Sequence, residues 1–127
     1  TYALRESKEL LEKRSKTSIT KLVVSGGGSQ SDQVMQITAD IFGMTVYRPS
    51  TFETSSLGAA IASAVGTGLY PDFITAAQNM TAHGDSFAPI AANQAIYDNL
   101  YSQVYKKMYG QLKPSYEAIR KISEGLV

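Results

Sequence analysis

The sequence predicts an α/β fold, and three observations carry that expectation. Two short β-branched runs, residues 20–25 and 44–48, flank a stretch of helical spacing that opens on three glycines. Apolar residues make up 43 % of the 127-residue chain, enough for a real core. Beyond residue 91, apolar residues return at every fourth position, as on one side of a helix. The order is α-β-α-β-α-α-α. Two strands joined by a helix form a βαβ unit, expected to be parallel and right-handed. Two strands are too few for a sheet with helices on both faces, so further strands are expected from elsewhere.

Each element has its own warrant. Residues 2–16 predict an exposed helix, with Leu4, Leu10 and Leu11 as a narrow apolar stripe. Arg5, Glu9 and Lys13 stand four apart on its polar side. In the strand over 20–25, the run Leu22, Val23, Val24 suits a sheet covered on both faces. Ser29 or Ser31 can cap the next helix, and Asp32 in its first turn complements the dipole. Val34, Ile37 and Ile41 share a face, with Met35 and Phe42 beside them, and Gly43 suits the position just past the helix end. Pro49 stops the second strand.

Thr54 or Ser55 then opens a helix with Leu57, Ala60, Ile61, Ala64 and Val65 on one face. Gly58, Ala59 and Ala62 would let another backbone come close, and Gly66 and Gly68 end the element. A short helix follows from Pro71 and Asp72 to Met80, and residues 81–89 read as a loop. A long helix is expected from Ala91 to about Leu112. It carries Ile96, Leu100, Val104 and Met108, with a parallel row of Tyr97, Tyr101, Tyr105 and Tyr109. Pro114 permits a kink or restart, after which Tyr116, Ile119 and Ile122 continue the pattern.

Composition excludes several function classes. The formal charge is +1 with both signs interspersed, which gives no electrostatic case for nucleic acid. The tyrosine row therefore reads as a packing face rather than a stacking platform for bases. No cysteine is present, so disulfides and thiolate metal sites are excluded. No apolar stretch approaches the roughly 18 residues of a membrane span. The charged residues 1–16 do not form a signal-peptide pattern, and a cytoplasmic location is expected. His83 is the sole histidine and has no cluster of ligands or acids around it in sequence. Asp40 and Glu53 could be imagined as a carboxylate pair, but each reads better as a capping or surface group.

The chemistry concentrates between Val23 and Asp32, in "VVSGGGSQSD". A strand, a glycine turn and a helix N-terminus make an anion site, where bare backbone lets a phosphate or purine approach. The bland alternative is a tight βα turn, for which one glycine would do. The P-loop pattern is absent. The dinucleotide pattern starts at Gly26 and Gly28 and fails at Ser31, where a third glycine is needed. Arg48, at the end of the second strand, could receive a 2′-phosphate, which keeps an NADP-binding βαβ unit as an alternative. A stand-alone interaction module with a purely structural glycine turn is the other.

Taken in order, "VSGGGSQSD", "MQITADIFG", "VYRP", Glu53 before "SSLGAA" and "GTGLYPD" resemble the C-terminal domain of the FGGY carbohydrate kinases, clearly from Ile19 to Asp72. The resemblance implies a partial ribonuclease H-like domain of the actin-like ATPase superfamily. Residues 1–127 would be the C-terminal part of the nucleotide-binding domain of a sugar kinase. It implies transfer of the γ-phosphate of ATP, with Mg²⁺, to a sugar or polyol hydroxyl. Gly26, Gly27, Gly28, Ser29, Ser31 and Asp32 would lie at the adenosine end of the nucleotide. Glu53 and Gly58 match a neighbouring segment and read as structural. The catalytic base, most sugar contacts, the two phosphate turns and most ligands of Mg²⁺ would lie in the preceding part of such a kinase. These residues alone are therefore expected to be inactive. No nucleic-acid or membrane partner is expected, and a homodimer stays open.

Overall fold

The computed structural model describes residues 1–125, with the side chain of His83 outside the described part. The weighing of that histidine therefore falls outside the described residues. Among the described residues eleven segments follow one another, and the core lies around the glycine turn's βαβ unit.

Helix α1 (Tyr2–Ser15) ends as Lys16 turns into the left-handed region. It is exposed as expected and buries no residue. Strand β1 (Leu22–Val23) leads through the glycine turn (a 3₁₀ segment, Gly27–Gln30) into helix α2 (Asp32–Phe42) and strand β2 (Val46–Pro49). The two strands pair in parallel, Leu22 opposite Val46 and Val23 opposite Tyr47, so the expected βαβ unit is present. Helix α2 is capped by Ser31 and closed by Gly43, whose φ of 62° is the left-handed conformation that favours glycine.

The inward face of α2 differs from the expected one. Met35, Thr38, Ala39, Asp40 and Ile41 are buried, whereas Val34 and Ile37 are exposed. Met35 and Ala39 pack on Val46, with Leu22, Val24 and Phe87 around them. Met35 on the sheet sets the helix phase, Val34 turns toward a groove beneath α1, and Ile37 is left exposed. Val23 is also exposed, so β1 is not covered on both faces among the described residues.

A third strand was not expected. β3 (His83–Phe87) lies where the sequence reads as a loop and pairs antiparallel with β2. Val46 faces Phe87 and Tyr47 faces Ser86, and a bulge then brings Pro49 opposite His83. The sheet order is β1-β2-β3. Pro49 is tolerated at the end of a middle strand because the ladder is already irregular there. Gly84 lies close against β2: a Cβ on it would stand 3.0 Å from the Arg48 carbonyl oxygen.

Helices α3 (Thr54–Gly66) and α4 (Phe73–Met80), which follow β2 and precede β3 in the chain, pack against each other. The Asp72 carboxylate caps α4 at Thr75 N, 2.7 Å away. α3 has Glu53 at its cap position with no side-chain cap bond, so neither Thr54 nor Ser55 caps it. Of its apolar face, Ala64 is buried and Ala60 is exposed. Gly58 does not serve close packing among the described residues, since a Cβ there would meet nothing within 4 Å.

The C-terminal part is one long helical rod in three sections. α5 (Ala91–Leu100) passes through a π segment (Tyr101–Tyr105) into α6 (Lys106–Glu124). The helix runs through Pro114 without a restart. Gly110 and Pro114 are exposed, so the carbonyl that proline leaves without a donor faces water. The irregularity falls instead at the π segment, whose extra residue re-phases the rod against α1. There the Tyr101 ring stacks on Tyr2 and Tyr105, with centroids 5.5 and 5.7 Å away. Arg5 and Lys106 lie over it at 4.3 and 4.6 Å. Tyr101 is only 2 % exposed, which bears out packing as the role of that part of the tyrosine row.

Candidate functional site

The glycine turn is built by short local bonds. Gly26 has φ 93° and ψ 179°, a conformation effectively reserved for glycine. Its carbonyl accepts from the Ser29 backbone N–H at 3.0 Å and from the Ser29 hydroxyl at 2.7 Å. Ser29 is fully buried beneath the turn. The Ser31 N–H donates to the Gly28 carbonyl at 3.3 Å, and its hydroxyl oxygen accepts from Val34 N at 3.4 Å. Among the candidate residues, then, Gly26, Ser29 and Ser31 shape the turn. A Cβ on Gly27 or Gly28 would meet nothing within 4 Å, and neither shares the positive φ of Gly26. Their bare backbone faces open space.

Arg48 fastens the turn to the sheet, a role the sequence did not suggest. Its guanidinium donates to the Ser29 carbonyl at 3.1 Å and to the Asp32 carboxylate at 2.8 Å. It also pairs closely with Asp85 on β3 and lies over the Phe87 ring at 5.2 Å. Hydrogen bonds to Asp85, then to Asp32, raise the Arg48 pKa above its ordinary value. Asp32 is thus brought to the first turn of α2 as expected, but as one of two carboxylates held by Arg48. The guanidinium considered for a 2′-phosphate is engaged with those carboxylates.

Two hollows flank the turn. One, of about 340 Å³, lies between Gln30, Arg48, Pro49, Phe52, Gly84 and Asp85. The other, about 440 Å³, is an apolar groove between α1, β1 and α2, and Gly28 and Ser29 stand on its wall. Leu4, Leu11, Leu22, Val24, Val34 and Phe42 form most of its surface.

Asp40 and Glu53 do not form a pair. Asp40 is 1 % exposed and accepts from Ile90 N at 2.7 Å, Asn93 Nδ2 at 2.9 Å and Gln36 Nε2 at 2.9 Å. It caps α5 from the side of α2. Burial pushes its pKa up, but these hydrogen bonds outweigh it and leave the carboxyl below its ordinary value. A similar balance acts at Glu9, where burial is outweighed by bonds from Lys106, Tyr101 and Arg5. Among the described residues, no group of three His, Cys, Asp or Glu side chains could hold a metal ion. No helix among them is long and apolar enough to cross a membrane.

Comparison with known proteins gives one family. The sequence model of the FGGY family of carbohydrate kinases, C-terminal domain, matches residues 1–67. The uncharacterized sugar kinase YgcE of Escherichia coli K12 is 43 % identical over 102 residues, which cover 77 % of this chain and 21 % of that protein. A xylulose kinase of Lactococcus lactis is 35 % identical over 111 residues, covering 86 % of this chain and 22 % of that one. The chain therefore spans about a fifth of the length of these relatives. The crystal structure of a xylulose kinase from Rhodospirillum rubrum matches with a TM-score of 0.70 at 28 % identity, over 91 % of this chain and 23 % of that one. A ligand-bound xylulose kinase from Lactobacillus acidophilus, at 22 % identity and the same TM-score of 0.70, shares the fold. The α/β unit is thus part of an actin-like ATPase fold, and the chain belongs to the FGGY family of carbohydrate kinases, of whose C-terminal domain it carries the signature.

Proposed function

We propose that this chain forms one wall of the ATP cleft in a kinase that phosphorylates a sugar or polyol hydroxyl, as the C-terminal part of its nucleotide-binding domain. The open backbone at Gly27 and Gly28 carries the reading. Gly26 is explained by its φ, but nothing in the packing of this chain asks for glycine at the next two positions. A ligand lying against the main chain supplies the missing reason. Gly26, Gly27, Gly28, Ser29, Ser31 and Asp32 would form the contact surface, held rigid by Arg48 from beneath.

Bound ATP would supply the phosphoryl group to be transferred. The residues of this chain hold and orient; none is assigned as the general base. That base, most of the sugar contacts and most ligands of Mg²⁺ are assigned to the remainder of the kinase. Closure of the two parts would exclude water, which otherwise competes with the sugar hydroxyl as acceptor. The reaction belongs to the cytoplasm on this reading. The NADP alternative is disfavoured by the engagement of Arg48 with Asp32 and Asp85.

The test is Gly27→Val in the intact kinase. The added side chain enters open space, so the thermal midpoint should not move. Calorimetric titration should show ATP binding weakened by about tenfold or more, roughly 1.4 kcal/mol, with sugar binding unchanged. Unchanged ATP affinity would remove the site assignment.

A further inference from the structure

β3 acts on the glycine turn through Arg48. The Arg48 side chain is 19 % exposed, and its two terminal nitrogens have different partners. Nη1 donates to the Ser29 carbonyl at 3.1 Å, to the Gln30 carbonyl at 3.4 Å and to the Asp32 carboxylate at 2.8 Å. Nη2 donates to the Asp85 carboxylate. A guanidinium is a rigid planar fork, so fixing one nitrogen fixes where the other points. Phe87 stands two residues after Asp85 on the same face of β3, and its ring centroid lies 5.2 Å from the guanidinium carbon.

The turn's own bonds join near neighbours, Gly26 to Ser29 and Gly28 to Ser31. They set its shape and leave its place against the sheet to other groups. Arg48 supplies that tie, from Ser29 and Gln30 to β2. The carboxylates that hold Arg48 are largely exposed, 70 % for Asp32 and 67 % for Asp85. Exposed ion pairs contribute little to global stability. The consequence of the Arg48–Asp85 pair therefore falls on where the turn sits, not on whether the chain folds.

We propose that Asp85 is a positioning residue for ATP: by holding the Nη2 end of Arg48 it sets the placement of the turn from Gly27 to Gln30, and with it the affinity for the nucleotide. The proposal rests on the assignment of the nucleotide to the glycine turn. Asp85 lies beyond residues 1–67, the stretch that carries the family signature. The sign of the effect separates positioning from charge. Asp85 lines the hollow beside the turn and, like ATP, is an anion. Acting by its charge alone it would repel ATP, and its neutralisation would strengthen binding. Acting through Arg48, its neutralisation weakens binding.

Calorimetric titration of the intact kinase with ATP tests this. Asp85→Asn should weaken ATP binding about threefold or more, with the thermal midpoint within about 2 °C of the unaltered protein. Asp85→Glu keeps the carboxylate and should recover most of the affinity. Arg48→Lys has one nitrogen where two are needed, so it should weaken ATP binding too, and adding Asp85→Asn to it should weaken it no further. Amide exchange at Ser29 and Ser31, measured without nucleotide, should quicken in Asp85→Asn. Unchanged or stronger ATP binding by Asp85→Asn would overturn the proposal, as would additive losses in the double variant. A large fall in the midpoint would overturn it as well, by assigning Asp85 to the fold. Gly27→Val, titrated alongside, separates the two readings. If it weakens ATP binding and Asp85→Asn does not, the positioning role alone fails; if neither does, the nucleotide site fails with it.

Discussion

Gly26 and Gly27 are neighbours with opposite requirements. The first holds φ 93° and ψ 179°, which a Cβ disfavours; the second has room for a side chain. Gly26→Ala should therefore lower stability by about 1–3 kcal/mol in denaturant titration, whereas Gly27→Val should leave the midpoint in place and act on nucleotide alone. Asp40 gives a second residue-scale prediction. Its removal takes the acceptor from Ile90 N and Asn93 Nδ2, while Gln36 keeps the Ala88 carbonyl, so Asp40→Ala should destabilise by about 1–3 kcal/mol. Its pKa is lowered by folding, so the stability it contributes is present above the unfolded carboxyl value of about 3.9. It is lost as pH falls through the lower folded value. Asp40→Asn should flatten the acid limb of the stability profile below about pH 4; an unchanged acid limb would show that the carboxylate charge does no such work.

At the scale of elements, α1 and the C-terminal rod are joined through Tyr101. Burial and the hydrogen bond to Glu9 push its pKa up to about 12. The protonated ring is the form the fold favours, so this contribution is complete below the ordinary tyrosine value of about 10 and is lost as pH rises through about 12. Tyr101→Phe should remove that alkaline loss, read as the change in melting midpoint with pH. The elements differ in how far the sequence revealed them. The βαβ unit was legible because β-branched runs and a capped, glycine-closed helix are local signals. β3 was not: "HGDSF" has neither alternation nor β-branched residues, and it becomes a strand because Val46 and Tyr47 offer it an edge. The inward face of α2 was misjudged for a related reason. Periodicity gave the stripe, but only the sheet fixes which side of a broad apolar helix turns inward. The candidate turn was legible in its glycines, while its Arg48–Asp85 support was not, since one partner lies in the strand that sequence concealed.

For the molecule as a whole, the chain alone should not turn over ATP with a sugar. Transfer needs the γ-phosphate, the metal and the acceptor held in line, and positioning together with general-base help accounts for many orders of magnitude. Residues 1–127 are expected to bind nucleotide no better than about millimolar, which corresponds to roughly 4 kcal/mol. Turnover assays with a panel of ketopentoses, polyols and glycerol, run beside the intact kinase, check this; sugar-dependent turnover by the chain alone would overturn it. The tie between Arg48 and Asp85 also has a temporal consequence. Asp85 lies 37 positions after Arg48, so a chain emerging from the ribosome has its glycine turn in outline well before the turn acquires its last support. Nascent chains arrested before residue 83 should show fast amide exchange at residues 26–31, and those arrested beyond α4 and β3 slow exchange. The glycine turn thus acquires its last support only once β3 has been made.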